Sequence, residues 1–144
     1  ACYFCKDIHY PDVPLHTPTY DTTLLSAHIR PGHVTLIDCW ASWCGPCRAA
    51  IPKVKALYDK YGRDRFDVIS ISLDSKKEDW QKALEEEKMP WPQFIAGNRG
   101  YKQLTSRYNI SSIPNLILID GKGQVVCNPF SPEEIRIELE QILR

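Results

Sequence analysis

The sequence predicts a three-layer α/β domain with a mixed central sheet, and three observations carry that expectation. Strand-like and helix-like segments alternate along the chain, two of the strand segments are apolar at nearly every position, and the last third closes with a hairpin followed by a helix. Residues 1–20 hold Pro11, Pro14 and Pro18 without a sustained period, and read as an extended leader draped over the domain. Asp21 is placed to cap a short helix bearing Leu24, Leu25, His28 and Ile29, which Pro31-Gly32 ends. Val34 to Trp40 is β-branched or apolar almost throughout and fits a strand covered on both faces.

Cys47, Ala50, Ile51, Val54, Leu57, Tyr58 and Tyr61 fall at helical spacing, with Gly62 as the stop and Pro52 as the expected kink. Phe66 to Leu73 reads as a second buried strand. Ser75 with Glu78 forms a capping-box pattern for a helix carrying Trp80, Ala83 and Leu84. Tyr101, Leu104 and Tyr108 mark a short helix within 98–109, and Asn115 to Asp120 a third strand. Asp120-Gly121-Lys122-Gly123 supplies a tight turn into Gln124 to Cys127, predicting an antiparallel hairpin. Ser131-Pro132-Glu133-Glu134 opens a final helix with Ile135, Leu139, Ile142 and Leu143 inward.

The chain has 144 residues, of which 43% are hydrophobic and 25% charged. A domain of that length buries roughly 68–70% of its unfolded surface, so the six cysteines are not needed as staples. Eighteen basic residues balance eighteen acidic ones, evenly between the two halves, which excludes the basic footprint of a nucleic-acid binder. Apolar runs stay far below the ~18 residues a membrane-spanning helix requires. The chain begins Ala1-Cys2 rather than with Met, a pattern compatible with a removed leader and with a lipid anchor at Cys2.

Trp43-Cys44-Gly45-Pro46-Cys47 lies between a buried strand and a long helix, so Cys44 falls at the helix N-terminus and Cys47 one turn inside. The free N–H groups and positive end of the helix stabilise an anion at Cys44, and the Cys47 thiol can donate to it. A fall from ~8.5 to ~7 in the Cys44 pKa, worth about 2 kcal/mol, raises the thiolate fraction at neutral pH from a few per cent to about half. Cys44 is then the nucleophile, and Cys47 is close enough to resolve a mixed disulfide formed on it. Four chemistries compete for such a pair: redox, half a zinc site, haem attachment and an inert structural pair. Haem attachment wants His where Arg48 stands, and zinc would need Cys2 and Cys5 from the leader. Gly-Pro between the cysteines at a strand-to-helix junction favours redox.

The segment Asp38-Cys39-Trp40-Ala41-Ser42-Trp43-Cys44-Gly45-Pro46-Cys47-Arg48 resembles the active-site segment of the thioredoxin superfamily, in its TlpA/ResA-like envelope branch. The likeness runs from Val34 through the helix with Pro52, Ile71-Ser72-Leu73-Asp74, an insert at 75–109, and Ile113-Pro114. It implies a thioredoxin-like three-layer fold at 31–144 with a helical insert before the cis-proline strand, and an N-terminal extension at 1–30 packed on it. It implies that Pro114 is a cis proline facing the two cysteines and that Ile113 offers backbone groups to an extended substrate. It also assigns Asp38 to proton transfer with Cys47. A carboxylate buried in an apolar strand should have a raised pKa, whereas a partly solvated strand-end acid would not.

Among the remaining residues, Cys39 faces away from Asp38 and is expected in the core, although the branch usually has an aromatic residue there. Cys127 is expected to be a buried thiol, and Cys2 and Cys5 to form a second disulfide, a lipid anchor with a bystander, or neither. Trp43 is read as an exposed apolar platform for docking, with plain packing as the alternative, and Trp40 as core. Trp91 is read as a packed loop tryptophan. Lys53, Lys55 and the run Glu85-Glu86-Glu87 are read as solvated.

The expected function is a thiol-disulfide oxidoreductase working through Cys44 and Cys47, a net reductase of protein disulfides, with Trp43, Gly45, Pro46, Ile113 and Pro114 meeting the substrate. An oxidant or isomerase of the same fold, or a binding module that does not turn over, are the alternatives. A peroxidase lacks a recognisable motif, and a copper carrier would need a His or Met ligand close to the pair. No cofactor or metal is called for. The expected partners are disulfide-containing client proteins and an upstream electron-donating thiol protein. The resemblance places the protein in the periplasm or envelope, with a membrane tether as one possibility.

Overall fold

Val34–Trp40 is buried at every one of its seven positions and forms strand β3, flanked by a partner on each side. In this computed structural model, which describes residues 9–62, 65–126 and 131–143, the sheet has six strands in the order β2-β1-β5-β4-β3-β6. They are β1 (Pro14–His16), β2 (Thr22–Leu24), β3, β4 (Phe66–Ser72), β5 (Gln93–Ile95) and β6 (Asn115–Ile119). β3, β4 and β5 run parallel, while β6 pairs antiparallel with β3 and β1 antiparallel with β5 and β2. The helices are α1 (Gly45–Tyr61), α2 (Lys77–Glu87), α3 (Gly97–Arg107) and α4 (Pro132–Ile142).

Side-chain alternation along the strands divides the core into two faces. Ile37, Cys39, Ile69, Ile71, Ile117 and Ile119 pack with Leu104 of α3 and with Val13, Leu15 and Leu25. Val34, Leu36, Val68, Leu116 and Leu118 pack with Val54 and Leu57 of α1 and Ile135 and Leu139 of α4. Trp40 continues that second face toward Cys47, Ile51 and the Trp80 and Ala83 of α2. The result is three layers around a mixed sheet, as the alternation of segments predicts.

Several local expectations are corrected. From residue 9 on, the leader contributes to the domain itself: Val13 and Leu15 are core residues, and β1 and β2 extend the sheet by two strands. Asp21 caps no helix; it accepts from Thr19 Oγ1 at 2.7 Å in the turn between β1 and β2, while the β-branched Thr22 and Thr23 pair with β1. What remains of the expected helix is one 3-10 turn at Leu25–His28. Close approach of α3 fixes β1 in place, because a Cβ on Gly100 would collide with the Pro14 carbonyl oxygen.

The capping box at Ser75 and Glu78 does not form, since α2 starts one residue later, behind Lys76, with no side-chain cap. The Ser131 cap does form, accepting from Glu134 N at 3.3 Å with Pro132 in the first turn. The expected antiparallel hairpin is present over its described residues, with Val125 opposite Ile119, Asp120 N bonded to Gln124 O at 2.9 Å and Val126 N to Leu118 O at 2.8 Å. The Asp120 carboxylate accepts from both Lys122 N and Gln124 N and so closes the tight turn that the sequence predicts. Cys2, Cys5 and Cys127, and the roles expected of them, lie outside the described residues.

Candidate active site

The site is assembled where β3 ends and α1 begins. Cys44 is the N-cap of α1, with extended backbone angles of φ −91° and ψ 101°, and its sulfur accepts from Cys47 N at 3.2 Å. An anionic sulfur at this position receives a helix N–H and sits in the positive field of the helix end. Cys44 and Cys47 are joined as a disulfide with a Cα–Cα separation of 5.2 Å, inside the range that a bridge spans without backbone movement. Cys44 is 5% exposed and Cys47 is buried, so the reagent that reaches this pair meets Cys44 first. The Cys44 sulfur lies 3.9 Å from the carbonyl oxygen of Ile113, and the Ile113-Pro114 peptide is cis.

Gly45 and Pro46 are exposed beside the pair, and Trp43 is 70% exposed, which excludes the packed alternative for this tryptophan. Trp40, by contrast, is fully buried. Asp38 shares the α1 face of β3 with Leu36 and Trp40, and at 2% exposure it is not the partly solvated strand-end acid. Burial pushes its carboxyl up to about 7, against the opposing pull of a hydrogen bond from Ser70. Ser70 is the partner of Asp38 across the β3–β4 pairing; its Oγ lies 3.1 Å from Asp38 Oδ2 and accepts from Trp91 Nε1 at 2.8 Å. Trp91 is buried as expected, edge-on to Tyr58 at 5.5 Å. Cys39 packs in the opposite core, where burial and then the nearby Asp38 push its thiol well up and keep it inert.

Three elements of the site were not legible beforehand. Asp74 is buried just after β4 and accepts from Ser42 N at 3.0 Å, Ser42 Oγ at 2.6 Å and Ser72 Oγ at 2.5 Å, so it grips the turn that carries Trp43 and Cys44. Arg48 donates to the Ser42 carbonyl at 3.2 Å, and its guanidinium is held by Glu87 at 2.6 Å and Glu86 at 3.2 Å. Glu86 and Glu87 are therefore not merely a solvated run. Lys55, expected in solvent, instead donates to the Glu87 carbonyl at 2.7 Å and ties α1 to the end of α2. Among the described residues no group of three or more His, Cys, Asp or Glu could hold a metal ion.

A thioredoxin-like family model matches residues 32–125, well over half the chain. The chain belongs to the thioredoxin-like family. Among its relatives, thiol-disulfide oxidoreductase ResA of Geobacillus kaustophilus is 25% identical over 77% of this chain and 64% of its own length. Sporulation thiol-disulfide oxidoreductase A of Bacillus subtilis is 25% identical over 70% of the chain, which spans 61% of that relative. The chain thus spans under two thirds of the length of these relatives. Among solved structures, a putative thiol-disulfide oxidoreductase from Bacteroides vulgatus superposes with a TM-score of 0.85 and 27% identity, covering 99% of this chain and 100% of that one. A bonded Cys44–Cys47 pair at the head of α1, in a thioredoxin-like fold similar to these oxidoreductases, supports redox chemistry at the two sulfurs.

Proposed function

We propose that the protein is a thiol-disulfide oxidoreductase acting as a net reductase of protein disulfides. The observation that carries this reading is the Cys44 sulfur capping α1 and bonded to Cys47, directly after the exposed Trp43. In the reduced protein the Cys44 thiolate attacks one sulfur of a client disulfide, and the client's other sulfur leaves as a thiolate. The Cys47 thiol then loses its proton and attacks Cys44, so the second client sulfur departs with the remaining electron pair. Two electrons pass to the client and Cys44–Cys47 is left oxidised. Asp38, buried on the same face of β3 as Trp40 and with its carboxyl pushed up to about 7 by burial, is the proposed acceptor of the Cys47 proton. Trp43, Gly45, Pro46, Ile113 and Pro114 border the approach of the client chain, with the Ile113 backbone available to hydrogen-bond an extended strand.

Regeneration then requires an upstream thiol protein that donates two electrons. The resemblance to the envelope branch supports a periplasmic or envelope location, with residues 31–144 as the catalytic domain, residues 1–30 as its extension, and Cys2 as the position for a lipid tether. No helix among the described residues is long and apolar enough to cross a membrane. The test is reduction of insulin disulfides in dithiothreitol, with Cys44→Ser as control, together with the Cys44/Cys47 reduction potential. Catalysis lost in the variant and a potential near about −270 mV support a reductase; about −120 mV would instead make the protein an oxidant. Insulin reduction no faster than the dithiothreitol background sinks the catalytic reading altogether.

A further inference from the structure

Three of the large apolar side chains exposed on the described surface, Trp43 at 70%, Tyr101 at 47% and Tyr20 at 44%, come from three separate elements and line one open groove of about 910 Å3. Of the lining residues, Trp43 precedes Cys44 in the chain and the Ile113 carbonyl lies 3.9 Å from the Cys44 sulfur. Tyr20, from the turn between β1 and β2, and Tyr101, from α3, line the same groove. Tyr20 is set in place rather than loosely exposed. Its backbone is in the left-handed region at φ 65°, its ring stacks on His16 at 4.4 Å, and Lys77 Nζ lies 4.7 Å from the ring centre on a cation–π contact.

The groove also has a sign. Lys77 and Lys102 line it, and neither takes part in an ion pair among the described residues. The two lysines outnumber the one carboxylate among the described lining residues, Asp74, which is buried and whose oxygens accept from Ser42 and Ser72. Glu78 and Asp79 follow Lys77 on α2 but do not line the groove, and Asp21 beside Tyr20 is bonded to Thr19.

We propose that this groove seats an extended, acidic segment of the client chain flanking its disulfide, with the aromatic faces covering its apolar side chains and Lys77 and Lys102 meeting its carboxylates. The inference rests on the oxidoreductase reading and adds the class of client to it. The charge acts mainly on encounter and orientation, so it strengthens as ionic strength falls.

The reduced protein is mixed with three peptides that share one intrachain disulfide but carry flanking Glu, Gln or Lys pairs, and second-order rates are read by acid quench and chromatography. The neutral 2-hydroxyethyl disulfide, too small to occupy the groove, reports the chemistry alone. The Glu peptide is expected to react about tenfold faster than the Lys peptide at low salt, with most of that ratio gone near 1 M salt. The double variant Lys77→Glu/Lys102→Glu reverses the order and leaves the 2-hydroxyethyl disulfide rate unchanged. Equal rates for all three peptides in a protein that still reduces 2-hydroxyethyl disulfide overturn the acidic groove while sparing the oxidoreductase reading; no reduction of any disulfide overturns both. Should the double variant misfold, the salt dependence of the unmodified protein and the single variant Lys102→Gln decide. A dimer in solution that Lys102→Glu dissociates would give the groove to a second copy of the chain and also overturn the proposal.

Discussion

Ser70 Oγ lies 3.1 Å from Asp38 Oδ2 across the β3–β4 pairing while accepting the Trp91 indole N–H at 2.8 Å. With one lone pair engaged by the indole, the hydroxyl has its single proton to donate to the carboxylate. Asp38 is thereby held by a neutral relay that favours its ionised form, inside surroundings that oppose ionisation more strongly.

Replacing Ser70 with Ala removes the one hydrogen bond that lowers the Asp38 pKa. A bond worth about 0.5–1.5 kcal/mol corresponds to an upward shift of roughly half a unit to one unit. Carboxyl-carbon NMR of Asp38 should show that shift, and the pH at which the Cys47 step accelerates should rise with it. An unchanged Asp38 midpoint contradicts the relay.

The same carboxyl sets a pH dependence of stability. Its folded pKa of about 7 lies above the ordinary value of 3.8, so the folded state holds the proton more tightly and stability falls as pH rises between the two. Above the folded pKa the loss is complete, roughly 4 kcal/mol. Asp38→Asn, which cannot ionise, should therefore leave stability little changed near pH 4 and raise it increasingly up to about pH 8. Urea unfolding of the oxidised protein across that range is the check.

Asp74 holds the turn before Cys44 through three donors, two from Ser42 and one from Ser72. Asp74→Ala leaves buried or half-buried donors unmet and should cost about 1–3 kcal/mol. Because Ser42 also carries the Arg48 contact, disulfide reduction should slow as well, with Asp74→Asn recovering part of both losses. A variant as stable and as fast as the parent removes Asp74 from the site.

Cys47→Ser deletes the resolving sulfur but keeps the helix end beneath Cys44. Exposure to a protein disulfide should then accumulate a covalent adduct through Cys44, visible by mass and released by dithiothreitol. Adducts carried instead by Cys39 would contradict its burial.

The long elements were legible because their patterns are long. β3 runs seven buried residues and α1 keeps one apolar face over seventeen, so their periods survive local exceptions such as Asp38 and Pro52. β1 and β5 are three residues each, and Pro14 and Pro92 mask what little alternation they have. Gly100 was the readable trace of β1 against α3, but a glycine names no partner. In the site, the cysteine pair and the buried acid could be located from their places at a helix start and within an apolar strand, while the cis proline followed from the resemblance to the thioredoxin superfamily. The Asp74–Ser42 and Arg48–Glu86–Glu87 contacts join residues more than thirty positions apart, and no local pattern encodes such pairings. The capping box failed because Ser75 and Glu78 had the right spacing while the chain entered α2 one residue later.

The central claim is that the end of α1 makes Cys44 an unusually acidic thiol, and its most direct test is the pH dependence of Cys44 alkylation by iodoacetamide in the reduced protein, followed site by site with peptide mapping. A midpoint near about pH 7 is expected, with Cys39 unreactive throughout. A Cys44 midpoint at about 8.5, that of an ordinary thiol, contradicts the account.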